Sequence, residues 1–362
     1  MSMKTPLYNK HKSLGARFIE FGEYSMPVWY KGVKEEHKAV RERVGIFDIN
    51  HMGTLLVTGS ERMEALNHLI TNDLTRVKKN KIQYSFICGE NGRILDDLLI
   101  YPDENKIMVI VNCGQSERLT EHMRANGQNY DFKVSDISEQ RGLLSIQGPQ
   151  SFGLCKKIFG IDLEEYSYYS YTHHQYDDAD WIISRTGYTG EKGFEIFFDS
   201  PLNEMIWDKL LSEGKSVGIE PCGLGARDIL RLEMGFPLYG SDLKDHSPIE
   251  IQKTWCVKLD KGEFVGKSVI LSQKEKGPET SLVAFMLMEK GIPRHEYKVY
   301  NSDKQIGEVT SGGFSPTLQK GIGLCLIDYQ EANIDHIIYI DIRGQRIPAK
   351  ITPLPFIESH VK

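Results

Sequence analysis

The chain has 362 residues, 40% apolar and 26% charged, with a formal net charge of −6. That length calls for more than one hydrophobic core, while no run of eighteen apolar residues is present to span a membrane and no basic block to hold nucleic acid. The six cysteines (Cys88, Cys113, Cys155, Cys222, Cys256, Cys325) form no C-x-x-C pair, so reduced, mostly buried thiols are expected and neither a disulfide framework nor a metal site is.

Taken in chain order, Met1 to Pro6 hold no apolar signal core, which fits a bacterial cytoplasmic protein or a trimmed mature form. Glu35 to Val44 reads as a helix stopped by Gly45. Ser60 is placed to cap a helix whose Met63, Leu66, Leu69 and Ile70 share one face. Arg93 to Tyr101 and Lys106 to Asn112 read as strands joined by a turn at 102–105. Pro149 opens a helix ending near Gly160, and Pro201 one ending near Gly214. Lys274 to Glu279 reads as a charged, Gly-Pro linker. Beyond it come short strands at 282–288, 297–300, 307–310, 323–327, 337–342 and 349–351, the pattern of a small β-barrel or sandwich.

The strand Ile94-Leu95-Asp96-Asp97-Leu98-Leu99-Ile100-Tyr101 has two carboxylates inside an apolar run. Successive strand residues face opposite ways, so one carboxylate points inward. That costs several kcal/mol unless the group is paired or serves a site. Pairing with an arginine such as Arg227 is the plainer alternative, and the strand alone does not choose Asp96 over Asp97.

Two later segments carry more. Thr186-Gly187-Tyr188-Thr189-Gly190-Glu191-Lys192-Gly193-Phe194-Glu195 combines three glycines, an aromatic face and a carboxylate. Glycines permit positive φ and close approach to a ligand. A carboxylate can accept two N–H bonds from an amino-pyrimidine edge, which suits a flat, nitrogen-rich heterocycle. Pro221-Cys222-Gly223-Leu224-Gly225-Ala226-Arg227-Asp228 supplies Arg227, a fork of donors for a carboxylate or carbonyl. A Gly-rich turn and a helix start with surface charges would explain either segment alone. Cys222 is expected to be inert, His51 structural, and the pair His173-His174 without function.

Taken together, these segments resemble the T protein of the glycine cleavage system, the tetrahydrofolate-dependent aminomethyltransferase family. Further matching blocks are Thr5-Pro6-Leu7-Tyr8, Phe47-Asp48-Ile49-Asn50-His51-Met52-Gly53, Thr71-Asn72-Asp73, Gln147-Gly148-Pro149, Phe264-Val265-Gly266-Lys267 and Phe314-Ser315-Pro316-Thr317-Leu318. They cover nearly the whole chain. The chain departs from the family pattern at Glu23-Tyr24, Ile49-Asn50 and Gly92-Arg93.

The resemblance implies an α+β fold: a three-domain cloverleaf of two interleaved α/β domains with antiparallel sheets plus a C-terminal β-barrel, the folate site at the centre. The implied divisions are 5–52 with 139–240, 53–138 with 241–272, and 280–357. The implied reaction transfers the methylene carbon of the aminomethyl-dihydrolipoyl arm of H protein to tetrahydrofolate, without metal. Asp96 takes the catalytic place by resemblance. Glu195, Arg227, Tyr188, Tyr84, Met52, Asn112 and Tyr168 are the implied folate-binding residues. Tyr166, Tyr169 and Tyr171 flank Tyr168 in an aromatic cluster that is either a strand edge or a pocket wall. Because the carrier is expected to be acidic, a basic docking face is expected, with Arg294 as its first candidate. A monomer is expected. The segment from Ile357 to Lys362 lacks the residue expected to complete the pocket. The alternative is another folate-dependent member of the superfamily, such as a demethylase of methylated glycine or of a sulfonium compound.

Overall fold

The computed structural model describes residues 2–176 and 179–361. Four sheets organise the described residues. A small sheet near the N-terminus places Tyr24–Trp29 between Met3–Lys4 and Arg17–Phe21. A six-stranded sheet runs in the order Ser170–Tyr176, Ala179–Arg185, Gly193–Asp199, Arg141–Gln147, Val44–Asp48 and Ile219–Pro221. A five-stranded antiparallel sheet runs Gln83–Cys88, Ile94–Pro102, Ile107–Val111, Gly53–Thr58 and Lys133–Asp136. Six strands from Thr280–Leu287 to Gln345–Thr352 close into a barrel.

The chain visits the first large sheet at Val44–Asp48, builds the whole second one, and returns for the rest of the first. This is the interleaving the resemblance implied.

Both large sheets are covered on both faces. Phe194, Ile196 and Phe198 pack with Phe152 and Phe159 of the Ser151–Phe159 helix and Trp207 of the Asn203–Glu213 helix. Leu98, Ile100, Val109 and Val111 pack with Leu66 and Leu69 of Arg62–Leu69 and Leu119 and Met123 of Ser116–Asn126. The opposite faces meet each other, with Phe47, Leu143, Ile182 and Phe197 against Tyr101, Met108 and Ile110. Each such side chain contributes about 1.5–3 kcal/mol by burial. This sheet-against-sheet layer fixes which residues can share a site.

Helix Leu224–Glu233 ties the layers to the barrel. Its Arg231 donates to Asp242 at 2.8 Å and to Ser311 Oγ at 2.8 Å. Its Glu233 accepts from His37 Nε2 at 2.9 Å and from Ser315 Oγ at 2.5 Å.

Three local expectations change. The third helix starts at Arg62 without a side-chain cap, and Ser60 donates instead to Asp131. The charged linker is half helix: Lys267–Lys276 runs into it and stops at Gly277, which takes φ +83°. Barrel strands are longer than their apolar stretches, as in Lys304–Ser315, because pairing around a closed barrel also holds polar residues.

Candidate active site

The strand Ile94–Pro102 decides the acidic pair. Leu98 and Ile100 belong to the helix-covered face, and Leu99 and Tyr101 to the layer between the sheets. By the same alternation Asp96 lies on the helix side and Asp97 on the sheet–sheet side. Asp96 is fully buried, and Asp97 is half-buried. Tyr84 donates its hydroxyl to Asp97 Oδ2 at 3.0 Å. Asn112, just beyond the strand Ile107–Val111, sends its side-chain amide to Asp96 Oδ1 and Asp97 Oδ1, both at 2.7 Å, and its backbone N–H to Asp96 Oδ2 at 2.9 Å. Burial lifts the Asp97 carboxyl to about 6, against the lowering effect of Tyr84 and Asn112. Burial and then the neighbouring Asp97 charge lift Asp96 well above the usual carboxylate range.

Glu195 enters the same layer from the other sheet. In the strand Gly193–Asp199, Phe194 and Ile196 face the helices, while Glu195 and Phe197 face inward. Glu195 sits opposite Ser145 on one neighbouring strand and Ser184 on the other. Thr186 donates to Glu195 Oε2 at 2.6 Å, and Ser184 lies 2.6 Å from the Thr186 hydroxyl. Tyr101 reaches across from the five-stranded sheet to Ser184 Oγ at 3.5 Å. Burial raises the Glu195 carboxyl, opposed by the Thr186 hydroxyl and the Arg227 charge.

Tyr188 forms a platform. Its ring stacks on Phe236 at 5.8 Å and 21°, and its hydroxyl donates to the Pro237 carbonyl. The Arg227 guanidinium lies 4.9 Å from the Tyr188 ring centre. Arg227 Nη1 is a buried donor with no hydrogen-bond partner among the described residues. A buried orphan donor beside a half-buried aromatic and a buried carboxylate is the chemistry of a ligand site. Burial lowers the Arg227 guanidinium, opposed chiefly by the Glu195 charge.

The glycines serve the turn more than a ligand. A Cβ on Gly187 would fall 2.0 Å from the Gln147 side chain, which donates to the Thr186 carbonyl at 3.1 Å. Gly190 takes φ +79°. The Gly-rich sequence therefore wraps Gln147 and leaves Tyr188 and Glu195 to face the site.

The remaining residues fall around this centre. Met52 is half-buried against the sheet–sheet layer with Leu99 and Tyr169. Tyr168 reaches the Gly187 carbonyl at 3.4 Å and meets Tyr169 edge-on at 4.8 Å. Tyr169 takes φ +61°, uncommon for an aromatic residue. Its backbone is held from both sides, by Ile82 N–H at 2.9 Å and by the Arg185 carbonyl at 3.0 Å. Tyr166 packs at the edge of the helix-side core, and Tyr171 lies in the sheet–sheet layer, so the cluster divides between wall and core.

Burial and then the Arg227 charge lower the buried His51 imidazole to about 4, so it is neutral at pH 7. Cys222 is buried and donates to the carbonyls of Glu36 and Glu220. His173 bridges Asp103 and Asp180 at the surface. Arg294 is exposed on the barrel, remote in sequence from every group above.

Three features escaped the sequence. Trp255, 57% exposed, stacks on Tyr84 at 5.6 Å and 23°. Tyr101 links the two sheets through Ser184. The C-terminal segment returns to the Gly-rich turn: His360 N–H donates to the Gly190 carbonyl at 2.7 Å, its ring lies 3.0 Å from Glu191, and Arg185 donates to the Val361 carbonyl at 2.9 Å. Lys362 lies outside the described residues.

The family comparison decides the identity. The chain matches the GCVT N-terminal domain over residues 7–261 and the glycine cleavage T-protein C-terminal barrel domain over residues 281–358. The chain belongs to the glycine cleavage T-protein family. It is 42% identical to an aminomethyltransferase of Halothermothrix orenii, over 98% of this chain and 99% of that one. It is 40% identical to one of Bacillus licheniformis, over 98% and 99%. Its fold matches the glycine cleavage system aminomethyltransferase T of Bartonella henselae with a TM-score of 0.93, at 31% identity and 99% coverage of both chains. As a member of the T-protein family, the chain is an enzyme, an aminomethyltransferase of glycine cleavage, and the α+β sheets with a C-terminal barrel are the family's architecture.

Proposed function

We propose that this enzyme transfers the methylene carbon of the aminomethyl-dihydrolipoyl arm of lipoylated H protein to tetrahydrofolate, releasing ammonia, in the bacterial cytoplasm and as a monomer. Tetrahydrofolate supplies the nitrogen that accepts the carbon. The orphaned Arg227 donor, the Tyr188 face and the Glu195 carboxylate fit its heterocycle and acidic tail. Glu195 would hold the amino-pyrimidine edge, Tyr188 and Tyr168 would pack its faces, and Arg227 would take an acidic or carbonyl group. Met52 and Tyr84 would line the remaining wall. Folate-binding residues from both sheets would then meet at one centre, with the chain divided as 5–52 with 139–240, 53–138 with 241–272, and 280–357.

The observation that carries the reading is the facing of Asp97 and Glu195, from different sheets, into one layer. It also shifts the catalytic proposal from Asp96 to Asp97. Asp96 is fully buried on the helix side, so it has no open path to a substrate. Asp97 shares its face with Tyr84 and would support the positive charge that develops at the carbon as ammonia leaves. Asn112 would orient it. The protein's main contribution is to bring two reactants together in a fixed geometry.

The test is a tetrahydrofolate titration paired with an assay on lipoylated H protein. Folate binding with carrier-dependent ammonia release supports the reading. Folate binding with release of formaldehyde equivalents from a methylated amine, and none from the carrier, would replace it with the demethylase alternative.

A further inference from the structure

His51 is a buried histidine that the rest of the chain leaves unpartnered. It sits in the turn after the strand Val44–Asp48, a turn closed by the Met52 N–H on the Ile49 carbonyl at 3.1 Å. It is 4% exposed, and Phe21 meets its ring edge-on at 5.6 Å. Neither ring nitrogen is hydrogen-bonded among the described residues, and Nδ1 is sealed from solvent. A buried polar atom without a partner is costly and calls for a reason.

The neighbouring charges fix the state of the ring. Of those that act on it, the Arg227 charge from helix Leu224–Glu233 is the larger and the Asp48 charge the smaller. The Asp48 oxygens are already taken by Thr5, His11 and Asn50. A second cation beside Arg227 in a buried place is repelled, so the ring is neutral and carries one proton. A sealed N–H without an acceptor is worse than a sealed lone pair, so the proton belongs on Nε2. Nε2 is then a donor, and so is the buried, unpartnered Arg227 Nη1. Two donors without an acceptor call for an oxygen from outside the chain.

The Arg227 guanidinium also feels the Glu195 charge. The heterocycle of tetrahydrofolate has one edge with two adjacent donors, the 2-amino group and the ring N–H beside it. The next group along that edge is the 4-oxo oxygen, an acceptor. With Glu195 on the two donors, the oxygen follows on the side of Arg227 and His51.

We propose that His51 is a further ligand-binding residue of the site, whose Nε2–H donates, beside Arg227, to the 4-oxo oxygen of the tetrahydrofolate heterocycle. The oxygen supplies the acceptor that both side chains lack. His51 thereby reads the identity of the group at that position, since only an acceptor satisfies it. This rests on the reading of Glu195 as the holder of the amino-pyrimidine edge.

The experiment is equilibrium binding to the whole enzyme of tetrahydrofolate and of its 4-amino-4-deoxy counterpart, which presents a donor where the oxygen was. Wild type should prefer the 4-oxo ligand by about tenfold or more, because the amino ligand sets donor against donor. His51→Phe, which keeps a ring against Phe21, should bind tetrahydrofolate about tenfold more weakly and the 4-amino ligand no more weakly. His51→Gln, which keeps an amide donor near the place of Nε2, should recover most of the tetrahydrofolate affinity. A merely structural histidine would weaken both ligands alike. The idea is overturned if His51→Phe leaves tetrahydrofolate affinity unchanged or lowers both affinities by the same factor. It is equally overturned if wild type binds the 4-amino ligand as tightly as tetrahydrofolate, a result that needs no variant to fold. Failure of the underlying reading shows separately, as unchanged tetrahydrofolate affinity in Glu195→Gln.

Discussion

Asp96 and Asp97 are neighbours in the chain and lie on opposite faces of one strand, one sealed beneath helices and the other turned toward Tyr84 and the second sheet. Asn112 is the only residue that hydrogen-bonds to both through its side chain among the described residues. Their roles differ accordingly, and so do the expected effects of changing them.

Asp97→Asn should depress turnover by ~10²-fold or more, the range for a positioned acid–base group. Folate affinity should change less, because the group acts where charge develops. Steady-state kinetics with the lipoylated carrier, together with the same measurement on Asp96→Asn, checks this. A larger loss in Asp96→Asn would return the catalytic place to Asp96.

The acid limb follows from the same carboxyl. Asp97 must be ionised to support a cation, and its carboxyl is lifted to about 6 by burial. The rate should therefore fall as pH drops through about 6, and recover above it. A pH profile of kcat/KM shows the limb directly. Asp97→Asn should leave a profile without it.

Glu195→Gln should weaken tetrahydrofolate binding by about 1.5–3 kcal/mol, the worth of a hydrogen bond to a charged group. Titration calorimetry or fluorescence quenching measures it. Unchanged affinity in a folded variant would reduce Glu195 to a partner of Thr186 and a neighbour of Arg227.

Acid stability should depend on Glu233. His37 and then Arg41 pull its carboxyl down to about 2 against the cost of burial. The folded value is depressed, so this stabilisation is present above the unfolded value of about 4.3 and is lost as pH falls toward 2. A shift of that size is worth about 3 kcal/mol at neutral pH. Urea unfolding as a function of pH should show the loss in wild type, and Glu233→Gln should flatten that part of the curve.

Docking of an acidic carrier should be electrostatic. Added salt should slow the carrier reaction steeply and the reaction of free aminomethyl-dihydrolipoamide little, because screening acts over about 10 Å at 0.1 M salt. Arg294→Glu should mimic high salt for the carrier alone. Equal salt dependence in both reactions would remove the docking face, Arg294 included.

Several elements were legible in the chain's own letters, among them the helices after Pro149 and Pro201 and the strands around the acidic pair. Leu282–Met288 and its successors marked a small all-β domain, barrel or sandwich, because strand alternation and turn residues are local signals, and closure into a barrel is seen only in the structure. The motifs around Tyr188, Glu195 and Arg227 were likewise legible, since each is a short run whose chemistry lies in adjacent residues. What the sequence could not supply was facing. Period two says that Asp96 and Asp97 part company, but not which of the two faces is covered by helices, because that depends on Leu66 and Leu119 arriving from elsewhere in the chain. The same limit hid Tyr101 and Ser184, which meet only because two sheets from interleaved stretches pack face to face. It hid Trp255 against Tyr84, and His360 against the Gly-rich turn it closes. Local pattern determined which residues could carry the chemistry. Long-range packing of the two sheets decided which carboxylate faces the site.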